Sequence, residues 1–412
     1  MVLKVFERYF GRNRVNTLLS FPRETDGIVV VPVFNDPDIF STIDSLDACS
    51  TDEGKIGVLI VVNHSEACPE EQKSSNLRLA ARIRQYIQDR QTDRLRYELL
   101  EAFDLPAKHA GVGLARKIAM DAAAAAFYRW EKPMAPILSL DADTWVESNY
   151  LDEVLRFFKR QPVAGVSIAY AHRLEGEDIT PGMRDAIVKY ELYLRYYALA
   201  LEYLGHPYAH ACIGSAFAVR AIDYVAQGGM NKRQAGEDFY FLQKLMATGR
   251  YATLKSTRVY PSARFSERTP FGTGQAVRQI VAEGGRYLVY NLQAFRDLKV
   301  FFQEIPALYK ADEMTLQACF ARQTEVLQRF LSLMEAEAMF AEINANCASE
   351  EQFVKRFFDN FNAFRVLKYL NYVHENHFPK QEIREAITEL LLELGLPVRE
   401  DLTGILQFLR TL

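Results

Sequence analysis

Two carboxylates two residues apart, Asp141-Ala-Asp143, follow the apolar run Ile137-Leu-Ser-Leu140. Just past a buried strand, one of them can hold a divalent cation while the other shares that cation or takes a sugar hydroxyl. Mg²⁺ or Mn²⁺ accepts oxygen ligands of this kind and often completes its shell with substrate phosphates. A second acidic pair, Glu237-Asp238, opens a helical stretch behind Gly236. Acidic residues at a helix start often do no more than complement its dipole. This pair, however, follows Ile213-Gly-Ser-Ala216 and Gly228-Gly-Met230, small-residue text that lets a ligand approach closely. A carboxylate there can act as a general base. The third group is Gly111-Val-Gly113-Leu-Ala-Arg116, with Lys108, His109 and Lys117 beside it. Arg116 stands where a dinucleotide fingerprint has its third glycine, which disfavours dinucleotide binding. A glycine turn opening a helix still presents backbone N–H groups to a phosphate; a tight turn with a solvated basic face is the plainer alternative.

These residues need a scaffold that brings them together. Gly27–Phe34 and Ile56–Val62 are β-branched runs ending in Asn35-Asp36 and Asn63-His64-Ser65. Bounded by turn residues, such runs are buried parallel strands. A helix over Ser74–Asp89, a weaker strand at Tyr97–Phe103 and a helix over 114–130 follow; then come strand Ile137–Leu140, helix Tyr150–Lys159 and strand Ala164–Tyr170. The alternation implies an α/β domain with a mainly parallel sheet flanked by helices. Ligands then sit beyond the carboxyl ends of the strands. Four polar strand ends in series would share one crevice. Beyond Tyr170 the pattern changes to a Tyr- and Leu-rich helix at 182–204, a turn-rich connector at 206–219, a helix at 237–247 and a strand at 251–260. From Val277 the chain reads as helical. The expected division is an N-terminal segment 1–24, an α/β domain 25–300 and an all-helical C-terminal region 301–412.

Composition narrows the function. With 412 residues, 49% hydrophobic and 25% charged, the chain is globular rather than disordered or coiled-coil. Forty-nine basic against 53 acidic residues give a net charge of −4, and no nucleic-acid partner is expected. The five scattered cysteines form no CxxC pair, so neither a disulfide framework nor a structural zinc site is expected. The N-terminal residues carry charges through their apolar stretch and no small-residue cleavage site, and no apolar run approaches the ~20 residues of a membrane span. A cytoplasmic protein is expected, at most peripheral to the inner face of a membrane. His206 and His210 read as structural, and His374 and His377 as surface or packing residues.

Together the pieces resemble the family 2 glycosyltransferases of the GT-A fold. The matching text is Val30-Val-Pro-Val-Phe-Asn35, Val58–Asn63, Lys108–Arg116, Ser139–Asp143 and Gly214-Ser-Ala216 through Gly236-Glu-Asp238, over roughly residues 25–275. Asn63 stands where that family usually has an aspartate. The resemblance implies a GT-A-like, Rossmann-related sheet and a nucleotide-sugar donor, UDP- or GDP-linked. In it, Pro32 and Phe34 would shape the base pocket beside Asn35, and Asn63 would contact the base. Lys108, Gly111, Gly113 and Arg116 would lie near the diphosphate, with Gly214 and Ser215 also at the donor. Asp141 would contact ribose or metal and Asp143 would hold Mn²⁺ or Mg²⁺. Asp238 would be the general base, oriented by Glu237, and transfer would invert the anomeric centre. The acceptor, whether sugar, lipid-linked or a small molecule, is not named by the motifs.

Arg264 and Arg268, on a glycine-bearing loop, are expected to close over the donor or read an anionic acceptor, since planar guanidinium groups suit phosphate and carboxylate. Two other functions compete. A sugar nucleotidyltransferase would carry a glycine- and arginine-rich loop after its first strand, where this chain has Phe34-Asn-Asp-Pro37. A non-catalytic interaction protein would have lost the carboxylate pairs, and both are present.

Overall fold

The computed structural model describes residues 2–15, 17–176, 179–232, 236–264 and 272–412. The chain divides into two compact units that alternate along the sequence: Met1–Glu177 with Cys212–Ala276, and Asp178–Ala211 with Val277–Leu412.

The first unit is built on eight strands: β1 Gly27–Val33, β2 Ile56–Ser65, β3 Leu95–Leu105, β4 Pro136–Ser139, β5 Thr144–Val146, β6 Gly165–Tyr170, β7 Phe217–Arg220 and β8 Tyr251–Pro261. Their order is β3-β2-β1-β4-β7-β6-β8-β5. β3, β2, β1 and β4 run parallel, with Val30 opposite both Leu59 and Ser139. Every residue of β1 is buried, as a strand covered on both faces requires. β7 lies antiparallel between β4 and β6, β8 runs parallel to β6, and β5 pairs antiparallel with β8. The mainly parallel sheet flanked by helices is therefore as expected. The carboxyl ends of β1, β2 and β4 share one edge, which sets the site. β7 falls at the end of the segment read as a connector, and β5 carries the chain on from Asp143. Both are too short for a periodic signal. At Gly57 a methyl group would stand 2.8 Å from the Phe21 ring, so only glycine lets that ring lie against β2.

Helix Val2–Arg12 is anchored by a buried polar cluster. Lys117 Nζ donates to Asp121 Oδ2 at 2.9 Å and to the Tyr9 hydroxyl at 2.7 Å; the Tyr9 and Tyr224 hydroxyls both donate to Asp121 Oδ1 at 2.6 Å. Lys117 is thus neither a phosphate ligand nor part of a solvated face. Its charge is neutralised inside the fold, and removing one partner would leave the other buried and unpaired.

The second unit is helical apart from two residue pairs, β9 Leu288–Val289 and β10 Gln381–Glu382, joined antiparallel. Phe301, Phe302, Phe357 and Phe361 pack largely edge to face in its core. Glu191, on helix Pro181–Tyr203, is fully buried; Arg195 and Arg410 hold it at 2.8 and 2.6 Å. Arg410 lies just past helix Leu402–Leu409, so this pair fastens that helix to helix Pro181–Tyr203. His206 is buried with Nε2 at 3.1 Å from the Phe361 carbonyl, and burial pushes its pKa down to about 4. It stays neutral, in the structural role expected.

Candidate active site

The strand ends of the first unit carry two arginine-centred clusters that meet at the Asp141–Asp143 turn. Arg116, in the second turn of helix Val112–Arg129, points its guanidinium inward and is only 2% exposed. Nη2 donates to Asp141 Oδ1 at 2.9 Å and Nε to Glu237 Oε1 at 3.2 Å. Nη1 donates to Ser139 Oγ at 2.7 Å and to the Gly214 carbonyl at 3.0 Å. Ser139, the last residue of β4, donates to the same carbonyl at 2.7 Å. One guanidinium therefore ties together the end of β4, the small-residue segment before β7 and the start of helix Glu237–Met246. A methyl group at Gly214 would stand 2.9 Å from Arg116 Nη2 and 3.1 Å from Asp238 Oδ2. The glycine is the condition for this packing.

Glu237 and Asp238 differ as their order on a helix demands. Gly236 caps the helix in the left-handed region, at φ 71°. Glu237 turns inward onto Arg116 and is buried. Asp238 remains partly exposed and accepts from the Phe239 N–H at 2.7 Å. Burial and then the neighbouring Glu237 push its pKa up to about 6, against the pull of Arg116. A carboxylate tuned this way is still mostly ionised at neutral pH, yet more basic than an ordinary one and well matched to accepting a proton.

The second cluster surrounds Arg264. Its guanidinium pairs with Asp36, with Asp38 at 2.6 Å and with Asp143 at 3.4 Å. Asp36 is buried at the end of β1, whereas Asp143 is about a quarter exposed. Six carboxylates (Asp36, Asp38, Asp141, Asp143, Glu237 and Asp238) thus face two guanidinium groups, leaving an excess of negative charge.

The remaining expected residues are placed as follows. Pro32 is buried within β1 and Phe34 is half-exposed just beyond it. Asn35 takes a left-handed conformation, φ 45°, and donates from its side chain to the Gln72 carbonyl at 2.9 Å. Asn63 is buried and donates from Nδ2 to the Val33 carbonyl at 2.9 Å, so it bridges the ends of β1 and β2. Asn76, fully buried, accepts from the Asn35 N–H at 3.0 Å and donates to the Asn63 carbonyl at 2.8 Å. Gly111 and Gly113 open helix Val112–Arg129 beside the exposed Lys108, which makes no ion pair among the described residues. Ser215 is buried. Arg268 lies outside the described residues.

The site thus brings together Arg116, Asp141, Gly214, Glu237 and Asp238, and links Asp143 to Arg264. Arg116, expected at the diphosphate, directs four hydrogen bonds to two carboxylates, a hydroxyl and a carbonyl. Asp38 and Asn76 carry no motif of their own. Only proximity in space reveals them.

Comparison with known proteins matches residues 136–297 to the family described as glycosyl transferase family group 2. The solved structures that resemble the chain include S. aureus TarS 1–349 in complex with UDP-GlcNAc, at 14% identity over 92% of this chain and 94% of that one, with a TM-score of 0.40. Another is the mannosyltransferase PcManGT from Pyrobaculum calidifontis in complex with GDP-Man and Mn²⁺, at 13% identity over 95% and 99% of the two chains, with a TM-score of 0.36. Among curated proteins there is no match. The matched family segment runs from β4 through both acidic pairs, and so covers the centre of the site. Over residues 136–297 the chain is thus similar to the family 2 glycosyltransferases, and that segment contributes strands to a mainly parallel sheet flanked by helices.

Proposed function

We propose that the protein moves a sugar from a nucleoside-diphosphate donor to an acceptor hydroxyl with inversion, with Asp238 as general base and a divalent cation at Asp141 and Asp143. The observation that carries this reading is the single guanidinium of Arg116. It pins Asp141 and Glu237, which leaves Asp238 beside them partly exposed with its pKa raised to about 6.

The residues present fit Mn²⁺ or Mg²⁺. Asp143 and Asp141 both keep partly exposed oxygens in a region of excess negative charge. Among the described residues no three His, Cys, Asp or Glu side chains form a closed cage. Two carboxylates with an open remainder is the arrangement Mg²⁺-type sites use when substrate phosphates complete the shell. When bound, the ion would supply charge neutralisation for the diphosphate leaving group. Asn63 gives one of its two amide N–H groups to Val33, which leaves the other N–H and the carbonyl oxygen for a base edge. Pro32 and Phe34 supply the apolar wall beside it. Asp238 takes the acceptor proton as the hydroxyl attacks from the face opposite the diphosphate, and Glu237 orients it through Arg116.

The test is Asp238→Asn. Titration with UDP and with GDP in the presence of Mn²⁺ should give affinities within a few-fold of wild type. Single-turnover transfer should fall by roughly 10²–10⁴, the usual scale for a general base. Transfer at the wild-type rate would place the base elsewhere.

A further inference from the structure

The second unit contains a cavity of about 360 Å³ lined by Tyr193, Tyr287, Tyr290, Gln279, Glu283 and Lys380. This is at the lower end of the roughly 300–1,000 Å³ typical of small-molecule sites. Tyr193 stands at right angles to Tyr287, with ring centroids 5.7 Å apart, and lies 6.5 Å from Tyr290. Lys380 Nζ sits 5.3 Å from the Tyr290 ring centroid. Among the described residues neither the Tyr193 nor the Tyr287 hydroxyl has a hydrogen-bond partner, whereas Tyr290 donates to Asn371 at 2.8 Å. Burial pushes the Tyr193 and Tyr287 hydroxyls up, so both remain protonated donors. Glu283 accepts from Gln279 at 2.8 Å. Neither Glu283 nor Lys380 forms a salt bridge among the described residues.

The geometry points to a binding site for a neutral saccharide in this cavity. Flat aromatic rings offer apolar faces to the C–H side of a pyranose, and tyrosine adds a polar tip at the rim. Its hydroxyls then find donors and acceptors in the two tyrosines, Gln279, Glu283 and Lys380. One carboxylate and one ammonium cancel, so the cavity does not select an anion: a phosphate or uronate would meet Glu283 as well as Lys380. A purely apolar ligand would bury those polar groups unpaired, at a cost. The assignment concerns the second unit alone and stands apart from the transfer residues of the first.

The test uses the full chain without nucleotide or metal. Saturation-transfer NMR and calorimetry are run with mannotetraose, cellotetraose, maltotetraose and chitotetraose, and with tetragalacturonate as the acidic comparison. At least one neutral tetramer should bind, and Tyr287→Ala should weaken it by about tenfold or more, the factor that corresponds to losing one good contact. Tyr287→Phe and Lys380→Ala, which disturb packing least, should each weaken it less. In a separate titration with Mn²⁺ present, UDP and GDP binding should be unchanged in all three variants. The assignment is overturned if no neutral tetramer binds, if one binds equally well to folded Tyr287→Ala, Tyr287→Phe and Lys380→Ala, or if tetragalacturonate binds more tightly. Loss of nucleotide binding in the wild type would instead strike the transferase reading and leave the saccharide result standing.

Discussion

Arg116 and Arg264 each gather carboxylates at the same sheet edge, yet they do different physical work. Arg116 is sealed, its donors shared among two carboxylates, a hydroxyl and a carbonyl. Arg264 is a quarter exposed and its guanidinium, among the described residues, rests on carboxylates alone. Taking a buried guanidinium from its partners strands charge in a low dielectric, whereas water can replace much of an exposed one. The difference separates a fixed frame from a displaceable counterion.

The largest effect is expected at the frame. Arg116→Met should abolish transfer and lower stability by about 3–5 kcal/mol, the scale for breaking a buried ion pair from one side; denaturant melts beside activity assays check it. A stable, active Arg116→Met would erase the distinction between the two clusters. Next comes Asp143→Ala, which should cut Mn²⁺-dependent donor turnover by orders of magnitude while leaving the melting temperature near wild type, read by donor hydrolysis across a Mn²⁺ series. Arg264→Gln should act in the opposite sense on the cation. With the guanidinium gone from Asp36, Asp38 and Asp143, Mn²⁺ affinity without nucleotide, measured by electron paramagnetic resonance, should tighten several-fold. Weaker Mn²⁺ binding in Arg264→Gln would show that the arginine organises those carboxylates rather than competing for them.

The smallest effects are those of pH. Because Asp238 must be ionised to accept a proton, kcat should rise tenfold per pH unit below about 6 and level off above it, and Arg264→Gln should not move that midpoint. The same shift acts on stability. The folded carboxyl titrates near 6 and its ordinary value is 3.8, so between these the folded state binds more protons and stability from this group falls as pH rises. Asp238→Asn should therefore melt higher than wild type at pH 8, with the gap closing toward pH 4.

How much of this was legible in the sequence follows from what leaves a periodic or local trace. β1, β2 and β4 are unbroken apolar runs, and their polar ends marked the crevice. β5 and β7 have three and four residues and left no pattern. The Asp141-x-Asp143 and Glu237-Asp238 pairs stood out by type and spacing. The identity of their common partner did not, because charge at a helix start does not say whether a guanidinium points to a ligand or to the interior. Asn76 was hidden in a polar helix, Glu70–Gln88, where one asparagine among many hydrophilic residues carries no signal. The Tyr- and Leu-rich pattern of helix Pro181–Tyr203 did not separate Tyr196, which is fully buried, from Tyr193, which lines the cavity.

The alternation of the two units along the chain has a consequence for synthesis. Helix Pro181–Tyr203 leaves the ribosome before β7 and β8 have completed the first unit, and well before Leu292–Glu304 exists to cover it. At about 5–20 residues per second that wait is on the order of 5–20 s. Tyr196 and Leu192, fully buried once folding ends, spend it in contact with water or a chaperone. The buried Glu191 waits longer, because Arg410 lies 219 residues further along the chain.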